Sequence, residues 1–152
     1  MTIRILSVGK KHDAALLAAI TEYTTRVSRI IKTEWEFVPP SGLPAQQARS
    51  DESERVLQRI RDEIVWLLDE RGEQIDSPEL SLRLTGLQNT AVKQLTIVIG
   101  GAYGVSQPLH ERADFVWSLS KLVFPHQLVR LMLAEQLYRA TEIARGSGYH
   151  HS

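Results

Sequence analysis

The segment Gln94-Leu-Thr-Ile-Val-Ile99 runs without a break into Gly100-Gly101. It is too short for a stable helix and rich in β-branched residues, so it reads as a buried strand. Other short apolar segments alternate along the chain with helical patterns. Residues 2–8 alternate as a strand, with Ile3, Ile5 and Ser7 on one face. Asp13 is placed to cap a following helix whose stripe includes Leu16, Ile20 and Tyr23. Residues 31–38 alternate strictly and form a second strand, which Pro39-Pro40-Ser-Gly-Leu-Pro44 stops.

The stretch 39–50 reads as one long loop and a candidate for mobility. A helix is expected to start at Ser50-Asp51-Glu52-Ser53-Glu54 and to carry Val56, Ile60 and Ile64 on one face. Ile64-Val-Trp-Leu-Leu68 fits either an extension of that helix or a buried strand. The strand is preferred, because Asp69-Glu-Arg-Gly-Glu73 ends it in a polar loop. Asp76-Ser77-Pro78-Glu79 has the pattern of a cap, a first-turn proline and an early acid, opening a helix to about residue 89. Ser106-Gln-Pro108 opens a short helix, Phe115-Val116-Trp117 is a short strand, and His126 to Arg145 is a long helix before Gly146-Ser-Gly148. Strand–helix alternation of this kind implies an α/β sandwich around a mostly parallel sheet.

Composition narrows the class. The chain of 152 residues fits one domain, and 43% hydrophobic with 24% charged residues is ordinary for a globular protein. No cysteine is present, which excludes disulfides and thiolate metal sites. The N-terminus lacks a signal peptide's apolar run, and no stretch approaches the roughly 18 apolar residues of a membrane helix. No membrane association and a cytoplasmic location are therefore expected. A formal net charge of zero argues against coating nucleic acid by bulk charge.

Four segments are candidates for chemistry. Ile99-Gly100-Gly101-Ala-Tyr-Gly104 is either a tight turn or a ligand loop, since glycines after a buried strand let a ligand approach backbone amides. It is neither a Gly-x-Gly-x-x-Gly fingerprint nor a Walker loop. The stretch Trp117 to His126 is either an ordinary connection or a loop that wraps a small ligand with main-chain groups. The 126–145 helix has a stripe of Val129, Met132, Leu133, Leu137, Ala140 and Ala144, with Leu128, Leu131 and Tyr138 elsewhere. It is either a core helix or part of a subunit interface. The tail Tyr149-His150-His151-Ser152 is either frayed or a base and RNA contact. A metal at the paired histidines is discounted, because no carboxylate stands at motif spacing.

Together these segments resemble the ribosomal RNA large subunit methyltransferase H family, pseudouridine-N3 methyltransferases of the SPOUT, or trefoil-knot, class. The resemblance rests on Arg4-Ile-Leu-Ser-Val-Gly-Lys10, Glu22-Tyr23, Ile99 to Ser106, Trp117-Ser-Leu-Ser120 and Phe124-Pro-His-Gln-Leu-Val-Arg130. Ala134-Glu-Gln-Leu-Tyr-Arg-Ala140 and Tyr149-His150 complete it. It implies a single SPOUT domain over 1–152 with a C-terminal trefoil knot, and a homodimer in which one subunit's tail lies near the other's cofactor. The implied cofactor is S-adenosylmethionine, with Leu68, Gly100, Gly101, Leu119, Ser120, Lys121, Leu122, Val123 and Phe124 lining its pocket. The implied reaction is methylation of a pseudouridine N3 in large-subunit rRNA of the assembled ribosome, without a metal. His126 and His150 are the candidate proton acceptors. Arg130, Arg139, Tyr149 and His150 are the candidate RNA contacts. Where the family tail follows Tyr-His with a basic residue, this chain has His151. The alternative is a non-catalytic RNA- or ribosome-binding module with the same fold.

Overall fold

A computed structural model describes residues 1–151. The elements run β1 (Thr2–Val8), α1 (Ala14–Ser28), β2 (Lys32–Val38), α2 (Ala45–Leu57), β3 (Ile64–Gln74), α3 (Ser77–Asn89), β4 (Gln94–Ile99), α4 (Gln107–Arg112), β5 (Phe115–Ser118) and α5 (His126–Arg145). The five strands form one sheet in the order β2-β1-β4-β3-β5, every pairing parallel. Parallel strands need crossovers, and the helices supply them on both faces.

Side-chain alternation sorts the core into two layers. Ile3 and Ile5 of β1, Leu95, Ile97 and Ile99 of β4 and Trp66 of β3 meet Val27, Leu80, Leu84, Leu133, Leu137 and Ala140 from α1, α3 and α5. The opposite face carries Leu6, Val8, Val65, Leu67 and Val98 against Val56 of α2 and Leu109 of α4. Full burial of one such aliphatic side chain contributes about 1.5–3 kcal/mol, so these layers fix which helix covers which face.

Local signals explain most boundaries. The Asp13 side chain accepts from the Ala15 amide and Asp76 from the Glu79 amide, each satisfying an orphan donor of a first helical turn. Gly146 closes α5 with φ of 72°, the left-handed conformation glycine adopts without steric cost.

Three expectations need correction. The helix expected to carry Val56, Ile60 and Ile64 ends at Leu57, so only Val56 lies on it, and Ile64 opens β3. The loop expected over 39–50 ends at Pro44, and α2 begins at Ala45. Ala45-Gln-Gln-Ala-Arg49 are good helix formers, and Ala48 is fully buried, so packing extends the helix back to the proline. Ser53 Oγ accepts from the Ser106 amide at 2.8 Å and fastens α2 to the start of α4. The polar run 69–73 does not end β3. The strand continues to Gln74 across a bulge, with Leu68 and Glu73 both opposite Trp117 of β5. Gly72 makes the passage feasible, because a Cβ there would lie 2.5 Å from the Val116 carbonyl oxygen.

Candidate functional site

The carboxyl ends of β3, β4 and β5 open onto one cleft of about 430 Å³. Leu68 stands at the end of the first segment of β3, Gly100 and Gly101 follow β4, and the 119–124 segment follows β5. Ligands in open α/β sheets collect at this end of the strands, and small-molecule pockets span about 300–1,000 Å³. Leu68, Gly100, Gly101, Leu119, Ser120, Leu122, Val123 and Phe124 all line the cleft. Lys121 does not; it is exposed, and its neighbours Ser120 and Leu122 carry the wall. His126, the first residue of α5, lines the cleft as well.

The glycine loop is a tight turn that stands at the edge of the cleft. Gly104 N–H donates to the Gly101 carbonyl at 3.1 Å, closing a tight turn, and Gly104 has φ of 79°. The same turn forms part of the cleft. The need for glycine comes from behind the loop: a Cβ on Gly100 would stand 2.7 Å from a Val105 methyl, and one on Gly101 would stand 2.5 Å from Glu52 Oε1. Across the cleft, Ser118 Oγ donates to the Ser120 carbonyl and Ser120 Oγ accepts from the Leu122 amide. These two bonds fix the turn of the segment that walls the cleft.

His126 is half-buried, and its pKa is lowered by burial and then by the Arg130 guanidinium, with Glu52 acting in the opposite direction. A neutral imidazole facing a cleft is a competent proton acceptor. Arg130 itself is 1% exposed. It donates from Nε to Ser7 Oγ at 2.8 Å and from Nη1 to the Lys10 carbonyl at 2.8 Å, pinning the loop after β1 to α5. This corrects the expectation that Arg130 holds RNA phosphate: a guanidinium sealed inside the chain is a structural tie.

The tail lies elsewhere. Tyr149 donates to Glu135 Oε1 at 3.1 Å, and Arg139 sits 4.8 Å over the Tyr149 ring while paired to Glu135 at 2.5 Å. Arg139 Nη1 is also 3.2 Å from His150 Nδ1. Burial, then Tyr23 and Glu135, raises the Tyr149 pKa, so the phenol stays protonated. Arg139, Tyr149 and His150 thus form a cluster on α5, and Arg139 is not presented as a free cation. His150 lines a separate groove with Tyr23, Leu131, Met132 and Glu135. Trp117 and Leu119 line both hollows and form the wall between them, so His126 and His150 do not meet within one chain. Ser152 of the expected tail lies outside the described residues.

Four further residues here have no local signal in the chain. Arg49, Asp69 and Arg71 line the cleft, and Glu52 lies behind Gly101. Asp69 and His110 are 41 residues apart in the chain and 2.7 Å apart in space, a pairing no local spacing announces.

A family model described as a predicted SPOUT methyltransferase matches residues 1–150. The chain belongs to the SPOUT methyltransferase family. Two relatives, each named ribosomal RNA large subunit methyltransferase H, match end to end. That of Christiangramia forsetii is 41% identical over 156 residues, covering 99% of each chain. That of Geobacter metallireducens is 42% identical over 154 residues, covering 100% of each. Among solved structures, a probable methylase family protein from Haemophilus influenzae aligns with a TM-score of 0.56 at 13% identity, covering 99% of this chain and 70% of that one. A probable methyltransferase from Bordetella pertussis aligns with a TM-score of 0.56 at 12% identity, covering 91% and 95%. At those identities the likeness speaks to the SPOUT fold alone.

The SPOUT cleft suits an adenosyl cofactor by its donor set. Leu68, Ile99, Leu119 and Phe124 offer apolar surface to an aromatic base, and the glycine loop and the 119–124 segment offer main-chain hydrogen bonds.

Proposed function

We propose that this protein methylates N3 of a pseudouridine in large-subunit ribosomal RNA, on the assembled ribosome, using S-adenosylmethionine, as a cytoplasmic homodimer. The observation that carries the proposal is end-to-end identity of about 40% to relatives named as methyltransferases of large-subunit ribosomal RNA, combined with the cleft at the sheet's carboxyl edge. Residues 1–152 are read as one SPOUT domain whose C-terminal segment forms the trefoil knot of the class.

Bound S-adenosylmethionine would supply an electrophilic sulfonium methyl. The protein's task is then to align the acceptor nitrogen and to remove its proton. Leu68, Leu119 and Phe124 would hold the adenine, with amides and carbonyls from Gly100, Gly101 and 119–124 fixing its polar edges. His126 is the residue placed to take the N3 proton, because it borders the cleft and its pKa is lowered.

The dimer is supported by the second groove. Tyr23, Leu131, Met132 and His150 line a hollow of about 870 Å³ on the α1–α5 face, and Leu128 of α5 is 37% exposed. Leu122 and Val123 at the cleft edge are 69% and 79% exposed, unusual for aliphatic residues without a partner. A second copy packed on these surfaces would bring its own Tyr149 and His150 to the cleft that they do not reach in their own chain.

The direct test is titration calorimetry with S-adenosylhomocysteine, followed by transfer of labelled methyl from S-adenosylmethionine to ribosomes lacking the modification. Binding and transfer to the large subunit are expected. Absence of binding at millimolar cofactor product would leave only an RNA-binding module.

A further inference from the structure

The arginines expected to meet RNA are engaged within the chain, which raises the question of what meets the phosphates. Arg130 is sealed and Arg139 is paired. Arg49 of α2 differs: half-buried at the mouth of the cleft, its side chain has no hydrogen-bond or ion-pair partner among the described residues. Opposite it, Arg71 is held in a fixed pose. Its Nε and Nη2 donate to the two Asp69 oxygens at 3.1 and 2.8 Å, and its side chain is 67% exposed. The Asp69 side chain is 6% exposed and also contacts His110 Nε2 at 2.7 Å. Burial would raise the Asp69 pKa, but hydrogen bonds from Arg71 and His110 outweigh it and hold it at about 2, so the carboxylate that orients Arg71 stays ionised.

Arg49 and Arg71 face two spaces at once, the cofactor cleft and an adjoining hollow of about 520 Å³. The hollow is completed by polar groups, including Gln46, Ser50, Gln107 and His110, and no carboxylate lines it among the described residues. The unpartnered Arg49 guanidinium, the Nη1 that Arg71 keeps outside its pairing with Asp69, and the amide and hydroxyl donors make a site for a phosphate-sized anion. A half-buried cation without a partner carries a desolvation cost that an incoming anion offsets. The chain's net charge is zero, so attraction for a nucleic acid has to be local.

We propose that the Arg49–Arg71 hollow is a phosphodiester site that holds one backbone phosphate of the RNA strand next to the target base. The proposal rests on the rRNA methyltransferase reading and adds the side from which the strand enters, between α2 and α4. Such a contact sets position and leaves base identity to other groups. The other anion that could reach Arg49 is the carboxylate of the cofactor's methionine moiety.

The experiment compares wild type, Arg49→Ala and Arg49→Lys. It measures methyl transfer to unmodified ribosomes at two potassium chloride concentrations, and S-adenosylhomocysteine affinity by calorimetry. Arg49→Ala is expected to raise KM for ribosomes about fivefold to tenfold, as loss of one phosphate contact predicts, and to lower the salt slope by about one unit. Cofactor-product affinity should stay within about twofold, and lysine should restore most of KM. Unchanged KM and slope would overturn the site. A large loss of S-adenosylhomocysteine affinity with an unchanged slope would also overturn it, placing Arg49 on the cofactor carboxylate. A wild type that neither binds S-adenosylhomocysteine nor methylates ribosomes would sink the underlying reading as well. An active wild type beside an indifferent Arg49→Ala sinks only the phosphate site.

Discussion

Glu52 sets one carboxylate oxygen directly behind Gly101, 2.5 Å from where a Cβ would be. The carboxylate is 4% exposed and cannot swing freely, because Oε2 accepts from the Ser41 amide at 2.9 Å. Oε1 is buried without a hydrogen-bond partner among the described residues. The shape of the cleft floor therefore depends on a residue of α2 that does not border the cleft.

Gly101→Ala should displace Glu52 and press on Val8, whose methyl lies 3.1 Å from the same Cβ position. Overpacking of this kind costs about 1–3 kcal/mol. Urea denaturation should show that loss, together with weaker S-adenosylhomocysteine binding. Truncating Glu52 to alanine in the same protein should recover part of it, giving a coupling energy above about 0.5 kcal/mol in a double-mutant cycle. Strict additivity would mean the two residues do not press on each other.

Arg130→Ala should destabilise the fold by about 3 kcal/mol, since it opens a cavity and leaves Ser7 Oγ and the Lys10 carbonyl without their charged donor. Arg130→Lys should not restore stability, because one ammonium cannot reproduce the fork that reaches both acceptors. Thermal melts of the two variants check this; a stable Arg130→Ala would indicate that the loop after β1 is held by other contacts.

His126 and His12 both have lowered pKa values, each from burial first and Arg130 second. A histidine with a lowered folded pKa stays neutral where the unfolded chain already binds a proton. Its contribution to stability is complete above the unfolded value of 6.5 and is lost as pH falls through the folded value. NMR titration should place the His126 ring below 6.5, rising toward it in any Arg130 variant that still folds. If His126 accepts the N3 proton, kcat/KM should hold as pH drops to the lowered value and then fall. Loss of activity already well above pH 6.5 would assign the limiting group elsewhere.

Much of the fold was legible where local chemistry and tertiary packing agree. Ile97 and Val98 sit in a strand on any reading, and Asp13 and Asp76 cap the helices their positions announce. The misreadings fall where long-range contacts decide. Ala48 is drawn into a helix by burial, and Gly72 carries β3 past a polar run because β5 lies beside it. The site divides the same way. Gly100 and Phe124 border the cleft by virtue of their places after strands. Asp69 with His110, and Glu52 with Gly101, are joined only by folding. Arg130 shows the reverse error: a basic residue near a cleft suggests a phosphate contact, yet α5 turns it inward onto β1.

Deleting Tyr149 to Ser152 should abolish methylation while leaving S-adenosylhomocysteine affinity intact, because His150 lies across the Trp117–Leu119 wall from the cleft of its own chain. Mixed dimers pairing a tail-less subunit with a Gly101→Val subunit should regain one working centre. Activity in the truncated homodimer would remove the tail from the site.

The most direct measurement is mass spectrometry of large-subunit rRNA nucleosides from a strain lacking this protein, before and after its restoration. The SPOUT reading predicts an N3-methylated pseudouridine that vanishes with the deletion and returns with the intact protein, but not with a Gly101→Val form. An identical nucleoside profile in all the strains would contradict it.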